Sequence, residues 1–205
     1  MESGQRRTVA LRPARTRKIV AVLDMRRHAT HERPEGGQRA DLALYWAMSR
    51  RDQISAGLLA YRRRERPEVL LAHPGGPFWA KRDDGAWTIP KGLVGSDDLL
   101  ADALREFNEE TGFTAQGPFL PLRPVKQKSG KTVHGFAFEA DFDPKKFSSN
   151  RFEMEWPPRS GERRSFPEID RIGWFALPQA LQKIIAYQRP FLIELGAELE
   201  KPALA

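Results

Sequence analysis

A row of carboxylates on one predicted helix is the feature of this sequence best suited to chemistry. The helix spans about four turns, starts near Ser96 or Asp97 and stops at Gly112. Glu106, Glu109 and Glu110 follow one another on it at i, i+3 and i+4. At this spacing like charges repel by a few tenths of a kcal/mol per pair, and the helix C-terminus favours cations. The negative charge of this row of carboxylates therefore needs to be compensated.

Two kinds of compensation fit this pattern. Arg105 and solvent water can neutralise an ordinary exposed acidic face. A divalent cation can do the same, because Mg²⁺ takes oxygen ligands, keeps several waters and commonly joins protein carboxylates to substrate phosphates. Charge pattern alone leaves both interpretations equally good.

The order of the residues favours the cation. The run Arg105–Phe113, REFNEETGF, resembles the core of the Nudix box, and it matches the family at all seven specified places. Pro90-Lys91-Gly92 resembles the start of the same box. Two departures lie between these runs. Asp97 stands where the family has a glutamate, and the chain from Gly92 to Arg105 is one residue shorter than the family pattern.

The resemblance implies an α/β fold, a Nudix-type α/β/α sandwich with a mixed β-sheet. It implies hydrolysis of nucleoside diphosphates linked to another group, with Mg²⁺, or Mn²⁺, as cofactor. The implied metal ligands are Gly92, through its carbonyl, with Glu106, Glu109 and Glu110. Metal-bound water would lose its proton to a carboxylate and attack phosphorus.

The resemblance also assigns the remaining catalytic roles. Either Glu106, within the box, or Glu168, in a loop before a later strand, is the general base. Arg105 orients the carboxylates and forms a structural ion pair with Asp97. Lys91 either contacts a substrate phosphate or shapes the loop around it.

Residues before the box supply further candidates for substrate contact. Phe78 and Trp79 are adjacent aromatic residues with Lys81 nearby. A purine can stack on such rings for about 1–3 kcal/mol, and a lysine can meet a phosphate. The alternative is that the two rings only attach their loop to the core.

The composition restricts the kind of protein. The chain has 205 residues, of which 40% are hydrophobic and 30% charged, which is typical of a globular protein. It has no cysteine, so disulfides, thiolate zinc sites and cysteine nucleophiles are excluded. No apolar run approaches the roughly 18 residues of a membrane-spanning helix, and we expect a cytoplasmic protein.

Two segments differ in charge. Residues 1–47 carry ten Lys and Arg but five Asp and Glu, and we expect a poorly ordered extension without chemistry of its own. On charge alone the same segment could be an arm that binds RNA or DNA. Residues 48–205 are predicted to form a single Nudix-like domain with C-terminal helices.

Patterns of apolar residues predict the elements of that domain. The predicted strands are Ile54–Tyr61, Val69–His73, Ala86–Ile89 and Thr132–Ala140. Helices are predicted at Leu177–Tyr187 and Pro190–Leu199. The polar segment Asp141–Arg164 shows no obvious periodicity and is predicted to be a functional loop, a lid or a substrate wall.

The leading functional hypothesis is a metal-dependent nucleotide pyrophosphohydrolase. Its substrate stays open among a nucleoside triphosphate, a dinucleoside polyphosphate, a nucleotide sugar and the 5′ end of RNA. One alternative is a catalytically weak or inactive Nudix-fold module that binds nucleotides. The other is a nucleic-acid-binding protein led by the basic residues 1–47.

Overall fold

The computed structural model describes residues 54–201. They form eight strands: β1 (Ile54–Arg62), β2 (Glu68–Pro74), β3 (Lys91–Leu93), β4 (Leu120–Lys126), β5 (Thr132–Glu139), β6 (Arg151–Glu155), β7 (Arg163–Pro167) and β8 (Ile169–Ala176). They also form three α-helices: α1 (Leu99–Thr111), α2 (Leu177–Lys183) and α3 (Arg189–Leu199). The extension predicted at residues 1–47 lies outside the described residues.

Six of these strands form one mixed sheet, as predicted. The strand order is β4-β5-β1-β2-β8, and β3 pairs with β1. β1 runs parallel to β5 and antiparallel to β2 and β3. Because β3 pairs with Ser55–Gly57, the start of the box lies against the first half of β1.

Helices cover both faces of the sheet, which gives the predicted α/β/α sandwich. Under α1, the buried residues Ala103 and Phe107 pack with Leu58, Leu70 and Phe138 of the strands. On the opposite face, residues of α2 and α3 pack over a second core, with Ala180, Phe191, Leu192 and Leu195 buried against Leu59, Val69 and Leu71. Alternate residues of β1 and β2 thus serve opposite cores, as the two-residue period of a strand requires.

Helix α1 begins and ends at defined residues. Asp98 is its N-cap, one or two residues later than predicted, and its carboxylate accepts hydrogen bonds from the amides of Leu100 and Ala101. Gly112 ends the helix in the left-handed conformation at φ 76°, where a side chain would be strained. The box helix is thus fixed at both ends by local chemistry.

Three predicted elements differ from the structure. The segment predicted as a functional loop, Asp141–Arg164, contains β6 and the start of β7, which pair as a two-stranded sheet. Ala86–Ile89 forms only isolated bridges, at Trp87 and Thr88, and the strand lies later, at β3. The predicted helix Leu177–Tyr187 ends at Lys183 and continues as a 3-10 turn, Ala186–Gln188.

None of the helices within residues 54–201 is both long enough and apolar enough to cross a membrane.

Candidate active site

The start of the box lies against the carboxylate of Glu106. Glu106 is buried on α1, at 3% exposure. A Cβ atom placed on Gly92 would fall inside the Glu106 carboxylate. Only glycine fits here, so the sequence brings the Gly92 backbone and the Glu106 side chain into direct contact. Both were predicted as metal ligands.

Glu110 reaches the same site from the C-terminal end of α1. Its Oε2 accepts a hydrogen bond of 2.8 Å from the backbone amide of Lys91. Burial raises the pKa of Glu110 to about 8, the positive charge and the amide of Lys91 oppose that rise, and the charges of Glu106 and Glu168 add to it. The carboxyl group of Glu110 is therefore near enough to those of Glu106 and Glu168 to be repelled by both.

Backbone hydrogen bonds hold Glu168 beside α1. The Glu168 amide donates to Asn150 O at 2.8 Å, and the Asn150 amide donates to Glu109 O at 3.1 Å. On its other side, Glu168 O accepts from the Gly75 amide at 2.8 Å. The predicted base from outside the box is therefore linked through Asn150 to the helix that carries the acidic row.

Arg105 binds the acidic side chains of α1. Its Nη1 donates to Glu106 Oε1 at 2.6 Å and to Glu109 Oε1 at 3.3 Å. Its Nη2 donates to Asp102 Oδ1 at 3.0 Å. Burial opposes the charge of Arg105, but the hydrogen bonds that it donates to Asp102 and Glu106 outweigh this effect and raise the pKa of the guanidinium. Arg105 thus holds two of the predicted ligands in place.

Asp102 is a further acidic partner of Arg105. It lies three residues before Arg105 on the same helix face, whereas Asp97 lies one residue before the N-cap. The pair of Arg105 with Asp97 stays a prediction.

Asp102 also fixes the loop. Its Oδ2 accepts from the amides of Gly95 and Ser96 at 3.0 and 2.9 Å and from Ser96 Oγ at 2.9 Å. Burial opposes ionisation of this carboxyl group, at 5% exposure, but the hydrogen bonds from Arg105 and Ser96 lower its pKa below the ordinary value. One carboxylate therefore joins the glycine loop to the residue that orients the acidic row.

The donors at this site suit a divalent cation in their chemistry. Carboxylates and a backbone carbonyl are the hard oxygen ligands that Mg²⁺ prefers, and the contact of Gly92 with Glu106 keeps two donors together. As the side chains stand in residues 54–201, however, no three His, Cys, Asp or Glu are grouped to hold a metal ion. Arg105 holds oxygens of Glu106 and Glu109. Cation binding would therefore require the carboxylates of the acidic row to move closer together.

The predicted substrate contacts lie on the loop that follows β2. Phe78 packs edge-to-face on Trp156, with ring centroids 5.2 Å apart. Arg82 lies over the Trp79 ring, 5.2 Å from its centroid. Lys81 is exposed. Gly75 starts this loop, and its amide donates to the backbone oxygen of Glu168. The loop therefore begins beside Glu168.

A buried histidine closes the same loop. His73, with no exposed surface, directs Nδ1 to Asp170 Oδ1 at 2.7 Å and Nε2 to Arg82 O at 2.8 Å. It joins the end of β2, the end of the loop and the residues just after Glu168. Its place at the end of the predicted strand Val69–His73 gave no indication of these two partners.

Comparisons with known proteins agree on one family and one fold. A family model described as NUDIX domain matches residues 51–195. An Ap4A hydrolase from C. elegans, in a binary complex, has 22% sequence identity to this chain, and the alignment covers 71% of this chain and 97% of the hydrolase at a TM-score of 0.50. The NUDIX domain of Shewanella oneidensis NrtR, complexed with ADP ribose, has 17% identity, with 80% and 100% covered at a TM-score of 0.51. A comparison with curated proteins finds no match.

Proposed function

This chain belongs to the Nudix family, and from that premise we propose that it hydrolyses the pyrophosphate linkage of a nucleoside di- or triphosphate derivative with a divalent cation, Mg²⁺ or Mn²⁺. The observation that carries this proposal is the meeting of Glu106, Glu110 and Glu168 beside the backbone of Lys91 and Gly92. A structural role alone does not account for a carboxyl group that two further carboxyl groups repel.

A pyrophosphate is a polyanion, so its attack by water first needs neutralisation of charge. A bound divalent cation supplies that neutralisation and activates water. In this proposal the oxygens of Glu106, Glu109 and Glu110, with the Gly92 carbonyl, hold the cation. Arg105 keeps Glu106 and Glu109 in register, since it already bonds to both.

Two residues are candidates for the general base. Glu168 enters the site from the end of β7 and is held by backbone bonds on both sides. Glu106 is buried, and its Oε1 already accepts a hydrogen bond of 2.6 Å from Arg105. We propose Glu168 as the residue that accepts the proton from the attacking water, with Glu106 as the alternative.

The similar proteins support a nucleotide as the substrate. One is an Ap4A hydrolase and another binds ADP ribose, and both compounds join an adenosine through phosphates to a second group. We therefore place the substrate among nucleotides with a pyrophosphate bond. Phe78, Trp79, Lys81 and Lys91 are the proposed contacts to it. The proposed compartment is the cytoplasm, an expectation from composition alone.

The proposal is tested with a panel of nucleoside triphosphates, dinucleoside polyphosphates, nucleotide sugars and 5′-triphosphate RNA. Release of phosphate or pyrophosphate is measured with Mg²⁺, with Mn²⁺ and with a chelator. We expect turnover of at least one compound that needs the cation. Turnover of none with either cation would contradict hydrolysis and favour a nucleotide-binding module.

The choice of base is tested with the same assay on Glu168→Gln and Glu106→Gln. If Glu168 is the base, its substitution lowers kcat about 100-fold or more, because general base catalysis contributes about that much. The dependence of the rate on Mg²⁺ concentration changes little. If only Glu106→Gln shows a kcat loss with unchanged Mg²⁺ dependence, Glu106 is the base.

A further inference from the structure

Strand β8 has an extra residue, Asp170, near its start. Arg171 pairs with His73 of β2, but the next pair is Ile169 with Pro74, so one step along β2 corresponds to two steps along β8. This arrangement is a β-bulge, a feature that often redirects a side chain beside a functional site. Pro74 has no amide hydrogen to donate to the neighbouring strand, which suits it to such a position.

The bulge changes the face of the sheet on which the first residues of β8 lie. Ile169 and Ile172 are three residues apart, yet both are buried in the core under α1. In a regular strand, residues three apart point to opposite faces. The extra residue therefore returns Ile169 to the α1 side of the sheet. It also sets the direction in which the preceding residue, Glu168, enters the site.

The imidazole of His73 holds the bulged residue. Its Nδ1 lies 2.7 Å from Asp170 Oδ1 and shares a hydrogen bond with it, and its Nε2 donates to Arg82 O at 2.8 Å. The ring has no exposed surface and packs edge-to-face on Trp87, with centroids 5.3 Å apart. Breaking either bond would leave a buried polar group unsatisfied, so His73 keeps both partners in place.

The same contacts restrict the backbone of Glu168. Its amide donates to Asn150 O and its carbonyl oxygen accepts from the Gly75 amide, each at 2.8 Å. Gly75 is two residues after His73, and Asp170 is two residues after Glu168. The Gly75–Glu168 backbone bond, the His73–Asp170 side-chain bond and these two short chain segments therefore form one closed ring.

From this ring we propose that His73 is a positioning residue for the general base. Through Asp170 it fixes the bulge that directs the Glu168 carboxylate to the acidic row of α1. The inference rests on the proposed function and deepens it. His73 does not contact the substrate. Its bond to Arg82 O also anchors the end of the loop that carries Phe78, Trp79 and Lys81.

The first test is kinetic and uses the panel compound that the wild type hydrolyses fastest with Mg²⁺. We expect Asp170→Ala to lower kcat about tenfold, since a misplaced Glu168 loses part of the roughly 100-fold or more that a general base contributes. KM and the dependence on Mg²⁺ should change little. Asp170→Asn keeps a hydrogen-bonding side chain of the same size and should retain most of kcat. His73→Phe removes both bonds of the ring and should lower kcat at least as far as Asp170→Ala.

Combined variants test whether the effect passes through Glu168. In the Glu168→Gln enzyme, Asp170→Ala should lower kcat no further, because no carboxylate base is left to position. If it lowers kcat as much there as in the wild type, the proposal is wrong. Tyr187→Phe is the matched control, since it removes a hydroxyl that accepts from Gln127 Nε2 at 2.9 Å beside the core on the other face of the sheet. This control should leave kcat unchanged.

Hydrogen exchange tests the positioning without turnover. The Gly75 amide donates to Glu168 O, so its exchange in Asp170→Ala should be about tenfold faster, the change expected for one weakened hydrogen bond. The Gly112 amide, which donates to Asn108 O at the end of α1, should exchange as in the wild type. Unchanged exchange at Gly75 would overturn the proposal whatever the activity. Faster exchange in a protein that hydrolyses no compound of the panel would contradict the proposed function and support the positioning of Glu168.

Discussion

Helices α1 and α3 are similar in length and cover opposite faces of one sheet, yet they bury different kinds of side chain. The buried residues of α3 are Phe191, Leu192 and Leu195. α1 buries Ala103, Phe107 and Thr111, but also the carboxylates of Asp102 and Glu106. A buried charge costs free energy unless it is paired and hydrogen-bonded. The buried side of α3 is thus apolar, whereas α1 buries two carboxylates that Arg105 pairs with.

Each helix depends on a glycine in the sheet, and the two glycines receive different groups. A Cβ atom on Gly135 would lie 3.0 Å from the ring of Phe191, so this glycine makes room for an aromatic side chain of α3. Gly92 makes room for the carboxylate of Glu106 on α1. The same device, a missing side chain, thus supports packing on one face and a candidate cation site on the other.

We expect the largest difference between the two helices in activity. It should appear in the variants Glu110→Gln and Glu109→Gln of α1. Loss of a residue that merely supports a metal ligand costs about 10–100-fold, so loss of a ligand should lower Mg²⁺-dependent kcat at least about 100-fold. The fold should persist, because glutamine keeps the size of Glu110 and can still accept the Lys91 amide. Steady-state kinetics and urea unfolding measure the two quantities.

The matched control for these variants is Glu198→Gln, which makes the same change on α3. Glu198 pairs with Lys201 at the surface, and exposed pairs contribute about 0–1 kcal/mol. Neither kcat nor the free energy of unfolding should change appreciably. Full activity in Glu109→Gln or in Glu110→Gln would remove that residue from the metal site.

The second effect is on stability, through Phe191→Ala on α3. Truncating a buried phenylalanine typically costs about 3–5 kcal/mol, and we expect a loss of this size in the free energy of unfolding. The kcat of the folded protein should not change, since Phe191 packs on the face of the sheet opposite α1. Urea unfolding and kinetics at a temperature where the variant is folded test both statements.

Should Phe191→Ala not fold, Phe191→Leu gives a smaller loss and permits the same comparison. A fully folded Phe191 variant whose kcat falls as far as that of Glu110→Gln would show that the two faces are not separate in function. The assignment of α3 to stability would then be wrong.

The residues within α1 were predictable because one helix fixes their spacing. The acidic row follows from about 100° of rotation per residue, and the stop at Gly112 follows from the left-handed conformation that glycine adopts. The order of the residues in Arg105–Phe113 also indicated the family and, through the family, the α/β/α sandwich. The buried and catalytic candidates of one contiguous segment could therefore be identified without a structure.

Contacts between distant segments were not predictable in the same way. Backbone bonds of Asn150 and Gly75 place Glu168, and backbone amides carry no mark in a sequence. The hairpin had a partial signal, since Arg151–Trp156 alternates polar and apolar residues. Its partner strand, RRSFP, lacks that alternation, which obscured the pair.

One partner of Arg105 was missed although the sequence contains a signal for it. Family spacing pointed to Asp97 in the loop, and that pair stays a prediction. Asp102 is three residues before Arg105, a spacing at which helical side chains meet. Local helix geometry therefore predicts the pair of Asp102 with Arg105 without reference to a family pattern.

We expect the smallest effect from Asp102→Asn, which should change both activity and stability. Asp102 supports the acidic row without being a proposed ligand. Asp102→Asn removes the charge that faces Arg105, and Arg105 then holds Glu106 and Glu109 less firmly. We expect kcat to fall about 10–100-fold, as for other residues that orient ligands, with a smaller change in KM. Kinetics with Mg²⁺ at saturating and limiting concentrations separate these effects.

The pH dependence of stability gives Asp102→Asn a second measurement. Hydrogen bonds hold the pKa of Asp102 below its ordinary value, so its carboxylate adds stability above the unfolded pKa of about 3.9, which is lost as pH falls further. As the pH falls below about 5, the free energy of unfolding should therefore decrease less in the variant than in the wild type. Asp98→Asn is the control, since asparagine caps a helix as well as aspartate does. If Asp97→Asn lowers kcat and Asp102→Asn does not, Asp97 supports Arg105 as the family spacing first indicated.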